Sequence, residues 1–324
     1  MKKHKLLIML AIPQEGFKVI LPDWELVYPE NEAFTQEELK EKIVDCDAVV
    51  TVYGHKLTNE VIDAASQLKM IANFGAGFDN IDVNYATSKG ILVTNSPDPV
   101  TEPTAELAMG LMISVARRMG EMNNRLRTKG EITWGVMRNL STTLVGKRLG
   151  IVGMGAIGKA LARRAVASGM EIVYHNRSRV DEMVETELKA TYVSMDELLK
   201  TSDVVSLNMP LTPETKHMIS NPQLELMKST AYLVNTARGP VVDEQALIEA
   251  LRKDEIAGAG LDVYEDEPNI PAAYMDMHNV VLMPHLGTAT HETRKEMSAV
   301  VAQNIQAYFN GKVPNNPVNK AVLN

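Results

Sequence analysis

The sequence predicts an α/β protein built from two doubly wound parallel-sheet domains, and three observations carry that prediction. Short apolar runs alternate with amphipathic stretches along most of the chain, the sequence form of strands and helices taken in turn. The alternation stops once, at the proline-studded segment Pro97-Asp-Pro-Val-Thr-Glu-Pro103, and starts afresh at Arg148. A chain of 324 residues also exceeds the usual reach of one hydrophobic core, so two domains are the expected division.

The chain opens with MKKHKLLIMLAIPQEGF, basic residues before an apolar run, which faintly imitates a secretory signal; Pro13, Gln14 and Glu15 cut the run short. It reads as a first strand, Leu6–Leu10. Ala48–Val52, Lys69–Asn73 and Ile91–Thr94 read as further strands, with helices such as Gln36–Val44 and Asn59–Ala65 among them. After the proline segment, alanine, leucine and methionine recur at helical spacing from about Thr104 to Arg127, as in one long helix bridging the domains. Arg148–Val152, Glu171–His175, Asp203–Asn208, Ala231–Asn235, Ile256–Asp262 and Val280–Met283 are apolar runs suited to a second buried parallel sheet. The amphipathic stretch from Glu292 to about Asn310 follows a finished sheet and is expected to cross back onto the first domain. That makes the first domain discontinuous, 1–101 with 291–324, around an inserted domain at 102–290.

Composition narrows the partners. A formal net charge of −8 with no basic cluster argues against a nucleic-acid backbone, which concentrated Lys and Arg would have to meet. No apolar stretch approaches the roughly 20 residues that span a bilayer. The single cysteine, Cys46, forms no intramolecular disulfide and fits a reducing, cytoplasmic setting. No metal is expected.

Gly153-Met-Gly155-Ala156-Ile157-Gly158 follows the apolar run Leu149–Val152 and leads into a helical stretch, Lys159–Ser168. In that context the first glycine allows a tight turn, the second lets a pyrophosphate approach the backbone, and the third allows close helix–strand packing. This is a Rossmann-type dinucleotide fingerprint, with the helix N–H groups aimed at the phosphates. About twenty residues on, an NAD site carries a carboxylate for the ribose 2′-OH. Here the sequence is Asn176-Arg177-Ser178-Arg179, which repels no 2′-phosphate and can bind one, so NADP is expected ahead of NAD.

In an open α/β sheet, ligands sit beyond the carboxyl ends of the strands. The loops that close three successive apolar runs carry Thr236-Ala237-Arg238-Gly239-Pro240, Tyr264-Glu265-Asp266-Glu267-Pro268 and Pro284-His285-Leu286-Gly287-Thr288. Reduction of a 2-oxo acid by hydride needs a cation for the carboxylate and carbonyl oxygen, a proton donor, and a group that tunes the donor. Arg238, His285 and Glu267 suit those roles, because a carboxylate beside His285 favours its protonated, donating form.

With GMGAIG at 153–158, NMPLTPET at 208–215, NTARG at 235–239, GLDVYEDEP at 260–268 and PHLGTAT at 284–290, the chain resembles the D-isomer specific 2-hydroxyacid dehydrogenases over essentially its whole length. The resemblance implies a Rossmann domain set into a flavodoxin-like substrate domain. It implies Arg238 as substrate anchor, His285 as acid in reduction and base in oxidation, and Glu267 as its partner. It further implies that Asp262 holds the nicotinamide carboxamide, that Thr104, Met209, Pro210, Thr215, Thr236, Ala237 and Gly287 lie against the cofactor, and that Asn73–Asn80, with Ala76 and Gly77, gives N–H groups to the substrate carboxylate. Tyr53 and Gly54 belong to a loop expected to overhang the substrate. Phosphoglycerate relatives carry an arginine near there; Tyr53-Gly54-His55 offers none, which disfavours a phosphorylated substrate. Glyoxylate and hydroxypyruvate are the expected acids. Asn208 departs from the histidine of many relatives. Glu267 speaks against the formate dehydrogenases, whose histidine pairs with an amide. A dinucleotide-sensing regulator of the corepressor type is the alternative, disfavoured by the lack of long disordered flanks. The arm around Trp134 implies a homodimer.

Overall fold

The computed structural model describes residues 3–128 and 132–323, and the chain divides into two compact units, Met1–Val100 with Thr288–Asn324, and Thr101–Gly287. In the first unit β1 (Lys5–Ile8), β2 (Glu25–Val27), β3 (Ala48–Val52), β4 (Met70–Phe74) and β5 (Leu92–Thr94) form a parallel sheet of order β2-β1-β3-β4-β5. Both faces are covered. Leu7, Val49, Ile71 and Val93 pack under helices Gln36–Lys42 and Asn59–Ala64, while Ile8, Val50, Ala72 and Phe74 pack against Met297, Val301 and Ile305 of helix His291–Phe309. Alternate residues of each strand thus serve opposite layers, so the strands read as continuous apolar runs.

The second unit's sheet is β6 (Arg148–Val152), β7 (Glu171–His175), β8 (Ala190–Tyr192), β9 (Val204–Leu207), β10 (Tyr232–Asn235), β11 (Gly258–Leu261) and β12 (Val280–Leu282), all parallel in the order β12-β11-β10-β9-β6-β7-β8. The strand order reverses at the neighbours β6 and β9, the topological switch point where such sheets take ligands.

Three elements depart from the sequence expectation. The edge strands β2 and β8 are three residues each, too short and too exposed to carry a pattern. The long helix expected over Thr104–Arg127 is two helices, Thr101–Ala116 and Met119–Thr128, parted at Arg118, whose φ is +54°. A left-handed arginine is costly. Its guanidinium repays the strain by gripping Glu121 at 2.6 and 2.7 Å and donating to the Leu140 carbonyl at 3.1 Å, while Thr142 N–H caps the Ala116 carbonyl at 3.0 Å. Nor is the first helix a bridge: Ala105, Ala108, Leu111, Met112 and Val115 belong to the core on one face of the second sheet.

Candidate active site

The glycine loop fits a dinucleotide for steric reasons visible at each glycine. Gly153 turns the chain out of β6 at φ +96°, and a Cβ there would press on the Asn208–Met209 backbone at 2.8 Å. A Cβ on Gly158 would strike the Gly153 carbonyl, so helix Ala156–Ala167 can pack this close to the loop only with glycine. A Cβ on Gly155 meets no protein atom within 4 Å. That glycine leaves room for something other than the protein. Gly155→Ala is therefore expected to fold with an unchanged melting temperature and to lose at least about tenfold in NADPH affinity, measured by fluorescence titration. Unaltered affinity would show that the open space serves no phosphate.

Asn176, expected as a ligand of the adenosine end, spends its side-chain oxygen on the Met154 N–H at 2.7 Å and so pins the glycine loop. Arg177 and Ser178 are exposed beside it. The sequence reading of Arg179 needs correction. Its guanidinium grips the buried Glu185 at 2.6 and 2.8 Å, and Tyr174 OH donates to the same carboxylate at 2.6 Å. Arg179 first, then Tyr174, hold the Glu185 carboxyl at about 2. That cation is committed to the fold.

Beyond β9, Met209 is buried, and the Thr215 hydroxyl, expected against the cofactor, accepts the Thr212 N–H and donates to the Pro210 carbonyl, both at 2.7 Å, and so knits its own turn. Thr236, buried at the end of β10, and Asn208 at the end of β9 each hold a buried side-chain oxygen without a hydrogen-bond partner among the described residues. Such orphans await an acceptor or donor from a ligand or water. Ala237 N–H donates to the Asn235 side chain, which donates in turn to the Arg238 carbonyl, each at 3.0 Å. Asn235 thus shapes the turn that presents Arg238, a part the sequence reading did not give it.

Arg238, Glu267 and His285 follow the adjacent strands β10, β11 and β12. Gly239 lies so close to the Tyr264 backbone that any Cβ would overlap it, which brings the two loops together. His285 Nδ1 meets Glu267 Oε2 at 2.7 Å, and Glu267 Oε1 accepts the Tyr264 N–H at 3.0 Å. Burial pushes the Glu267 carboxyl up, but the His285 hydrogen bond and charge, the Tyr264 N–H and the Arg238 charge together take it below its ordinary value. His285 itself sits at φ +55°. Asp262 enforces that turn: its carbonyl accepts the His285 N–H at 2.8 Å, and its carboxylate accepts the N–H groups of Leu286 at 2.7 Å and Gly287 at 2.9 Å. Burial raises the Asp262 carboxyl against the pull of those donors and of the His285 charge. Thr104 closes the arrangement, donating to the Gly287 carbonyl at 3.3 Å.

In the first unit the Gly75–Gly77 loop is tied through its carbonyls. Asn73 donates to Gly75 O at 3.2 Å and Gly77 O at 2.7 Å, and Asn95 donates to Ala76 O at 2.7 Å. Among the described residues, the N–H groups of Ala76 and Gly77 have no protein acceptor. Tyr53 and Gly54 (φ +75°) follow β3 at the same end of the sheet.

Residues 109–287 match the family described as D-isomer specific 2-hydroxyacid dehydrogenase, NAD binding domain. The chain belongs to the D-isomer specific 2-hydroxyacid dehydrogenases. This dehydrogenase is 46% identical to a glyoxylate reductase of Thermococcus onnurineus over 99% of its own length and 98% of the relative's. Among solved structures it is similar to a glyoxylate reductase from Paecilomyes thermophila, with TM-score 0.89, 36% identity and coverage of 99% and 100% of the two chains. It is also similar to an NADPH-dependent glyoxylate/hydroxypyruvate reductase from Sinorhizobium meliloti, solved with NADP and malonate, with TM-score 0.85, 32% identity and coverage of 99% and 98%. The dehydrogenase is NAD(P)-dependent, and the residues that match the NAD binding domain lie within its second unit. Among the described residues no helix is long and apolar enough to cross a membrane, and no cluster of three or more His, Cys, Asp or Glu is placed to hold a metal ion.

Proposed function

We propose that the enzyme reduces small, unphosphorylated 2-oxo acids, glyoxylate and hydroxypyruvate first, with NADPH preferred to NADH. The observation that carries this reading is the His285–Glu267 pair beside Arg238 at the carboxyl end of the dinucleotide-binding sheet. The nicotinamide supplies the hydride to C2 when bound. His285 passes a proton through Nε2 to the carbonyl oxygen, because the Glu267 carboxylate engages Nδ1 at 2.7 Å and leaves Nε2 to face the acid. Arg238 holds the acid and draws electron density onto that oxygen. Asp262 and Thr104 keep the 285–287 turn in shape, and Asp262 would hold the carboxamide of a bound nicotinamide. The Ala76 and Gly77 N–H groups receive the carboxylate, and Tyr53 and Gly54 cover the acid. Steady-state absorbance at the reduced-nicotinamide band tests the whole, with NADPH and NADH in parallel against glyoxylate, hydroxypyruvate, pyruvate and a branched 2-oxo acid. Absence of turnover with all four, despite tight dinucleotide binding, would return the weight to a regulatory protein.

The cofactor preference rests on Arg177 and Ser178, since Arg179 is committed to Glu185. Arg177→Ala should raise KM for NADPH about tenfold or more and leave NADH nearly untouched, a charge-assisted phosphate contact being worth that much. Arg179→Ala should lower the melting temperature without changing the NADPH/NADH ratio. Equal behaviour of the two variants would sink this division of labour.

The arm after the second-unit helices bares Trp134 (87% exposed), Val136 (94%), Met137 and Leu140. Apolar surface of this kind suits burial against a second copy, so we propose a homodimer; light scattering that returns the mass of one chain removes it. The lone Cys46, buried and outside any disulfide, suits the cytoplasm.

A further inference from the structure

Helix His291–Phe309 brings into the first unit a cation to which no sequence motif assigned a role. Arg294 stands in the first turn of that helix, just past the Thr290 cap, and is half-buried. Its guanidinium carbon lies 6.0 Å from the ring centre of Tyr53 and 5.8 Å from that of Phe74. Tyr53 directly follows β3, and Phe74 ends β4 immediately before the Gly75–Gly77 loop. The cation is therefore set at the carboxyl end of the first sheet, against both segments assigned above to the substrate.

Among the described residues no carboxylate of the first unit pairs with this charge. Arg148, Arg163, Arg164 and Arg179 each meet a carboxylate, whereas among the described residues none lies within ion-pair distance of Arg294. A cation in the first turn of a helix also opposes the helix dipole. The two aromatic rings offset part of this cost. Half-buried and without a carboxylate partner among the described residues, it is a donor-only group prepared for an acceptor.

We infer that Arg294 determines specificity by receiving an oxygen-bearing substituent on C3 of the 2-oxo acid. This rests on the reductase reading above. In that reading the Ala76 and Gly77 N–H groups receive the carboxylate and Tyr53 covers the acid; Arg294, set against Tyr53 and against the residue that leads into the Gly75–Gly77 loop, is left for a substituent on C3. A hydroxyl or carboxylate oxygen there accepts from the guanidinium. A methyl group displaces its water and returns no hydrogen bond, so the site discriminates by leaving a donor unpaired.

The test compares glyoxylate, which has no C3, with pyruvate and hydroxypyruvate, in wild type, Arg294→Met and Arg294→Lys. Wild type should favour hydroxypyruvate over pyruvate. Arg294→Met should lower kcat/KM for hydroxypyruvate about tenfold or more, mainly through KM, while glyoxylate changes less than about threefold. Arg294→Lys should keep part of the hydroxypyruvate rate. Equal loss on all three acids, the mark of a merely structural arginine, overturns the inference, and so does no change on any. If Arg294→Met does not fold, Arg294→Gln carries the same comparison. Inactivity of the wild type with all three acids overturns the reductase reading and this inference with it, and it is seen before any variant is made.

Discussion

His285→Ala is expected to lower kcat by about a thousandfold, within the range that a positioned general acid contributes, and to leave the NADPH dissociation constant within about twofold. The backbone matters to the design of this experiment. His285 sits at φ +55°, a region that alanine enters at a cost and asparagine tolerates well. His285→Asn is the companion variant: both should lose turnover alike, while only the alanine protein should lose melting temperature. Turnover near wild type in either variant refutes the proton-donor role. Loss of activity in alanine alone would trace the effect to the strained turn that Asp262 holds. The partner residue gives a pH signature of known sign. Glu267 is depressed below its ordinary 4.5, so the stability it lends the folded chain is complete above the ordinary carboxylate range and disappears as pH falls through its lower folded pKa. The melting-temperature penalty of Glu267→Gln should therefore be full at pH 7 and shrink in acid.

Arg238→Lys is expected to cut kcat/KM for the acid by about a hundredfold, and Arg238→Met by about a thousandfold or more, with NADPH binding again preserved. Lysine keeps the charge but presents one ammonium where the guanidinium presents a planar fork, and it lacks the reach to hold carboxylate and carbonyl oxygen together. The turn that aims Arg238 is also built for it: the side chain donates to the Ala237 carbonyl at 2.8 Å, and Asn235 accepts from Ala237 and donates to the Arg238 carbonyl. A lysine enzyme within twofold of wild type would mean that charge alone suffices and that the bidentate reading is wrong.

Much of the fold was legible because parallel strands buried on two faces leave long apolar runs, and β3, β6 and β7 lie where those runs lie. The edge strands β2 and β8 were not, since three half-exposed residues bury too little to need a pattern. The break at Arg118 was hidden for another reason: alanine, leucine and methionine favour a helix through that point, and only the contacts with Glu121, Leu140 and Thr142 overrule them.

At the site, the sequence by itself determined which chemistry is present. Gly153, Gly155 and Gly158, then Arg238, Glu267 and His285, are residue types that the chemistry demands at loops whose place after a strand can be read from local order. The tertiary structure alone decided how each cation and amide is spent. Arg177 and Arg179 are two residues apart and look interchangeable, yet Arg179 is consumed by Glu185. Asn176 looks like a ligand and is a pin for the glycine loop. Arg294, unremarked in the sequence, rests on Tyr53 and Phe74 from 241 and 220 positions away along the chain. The physical reason is range: backbone propensity and steric demand act over a few residues, whereas a long polar side chain takes its partner from whatever the folded sheet brings within hydrogen-bonding distance.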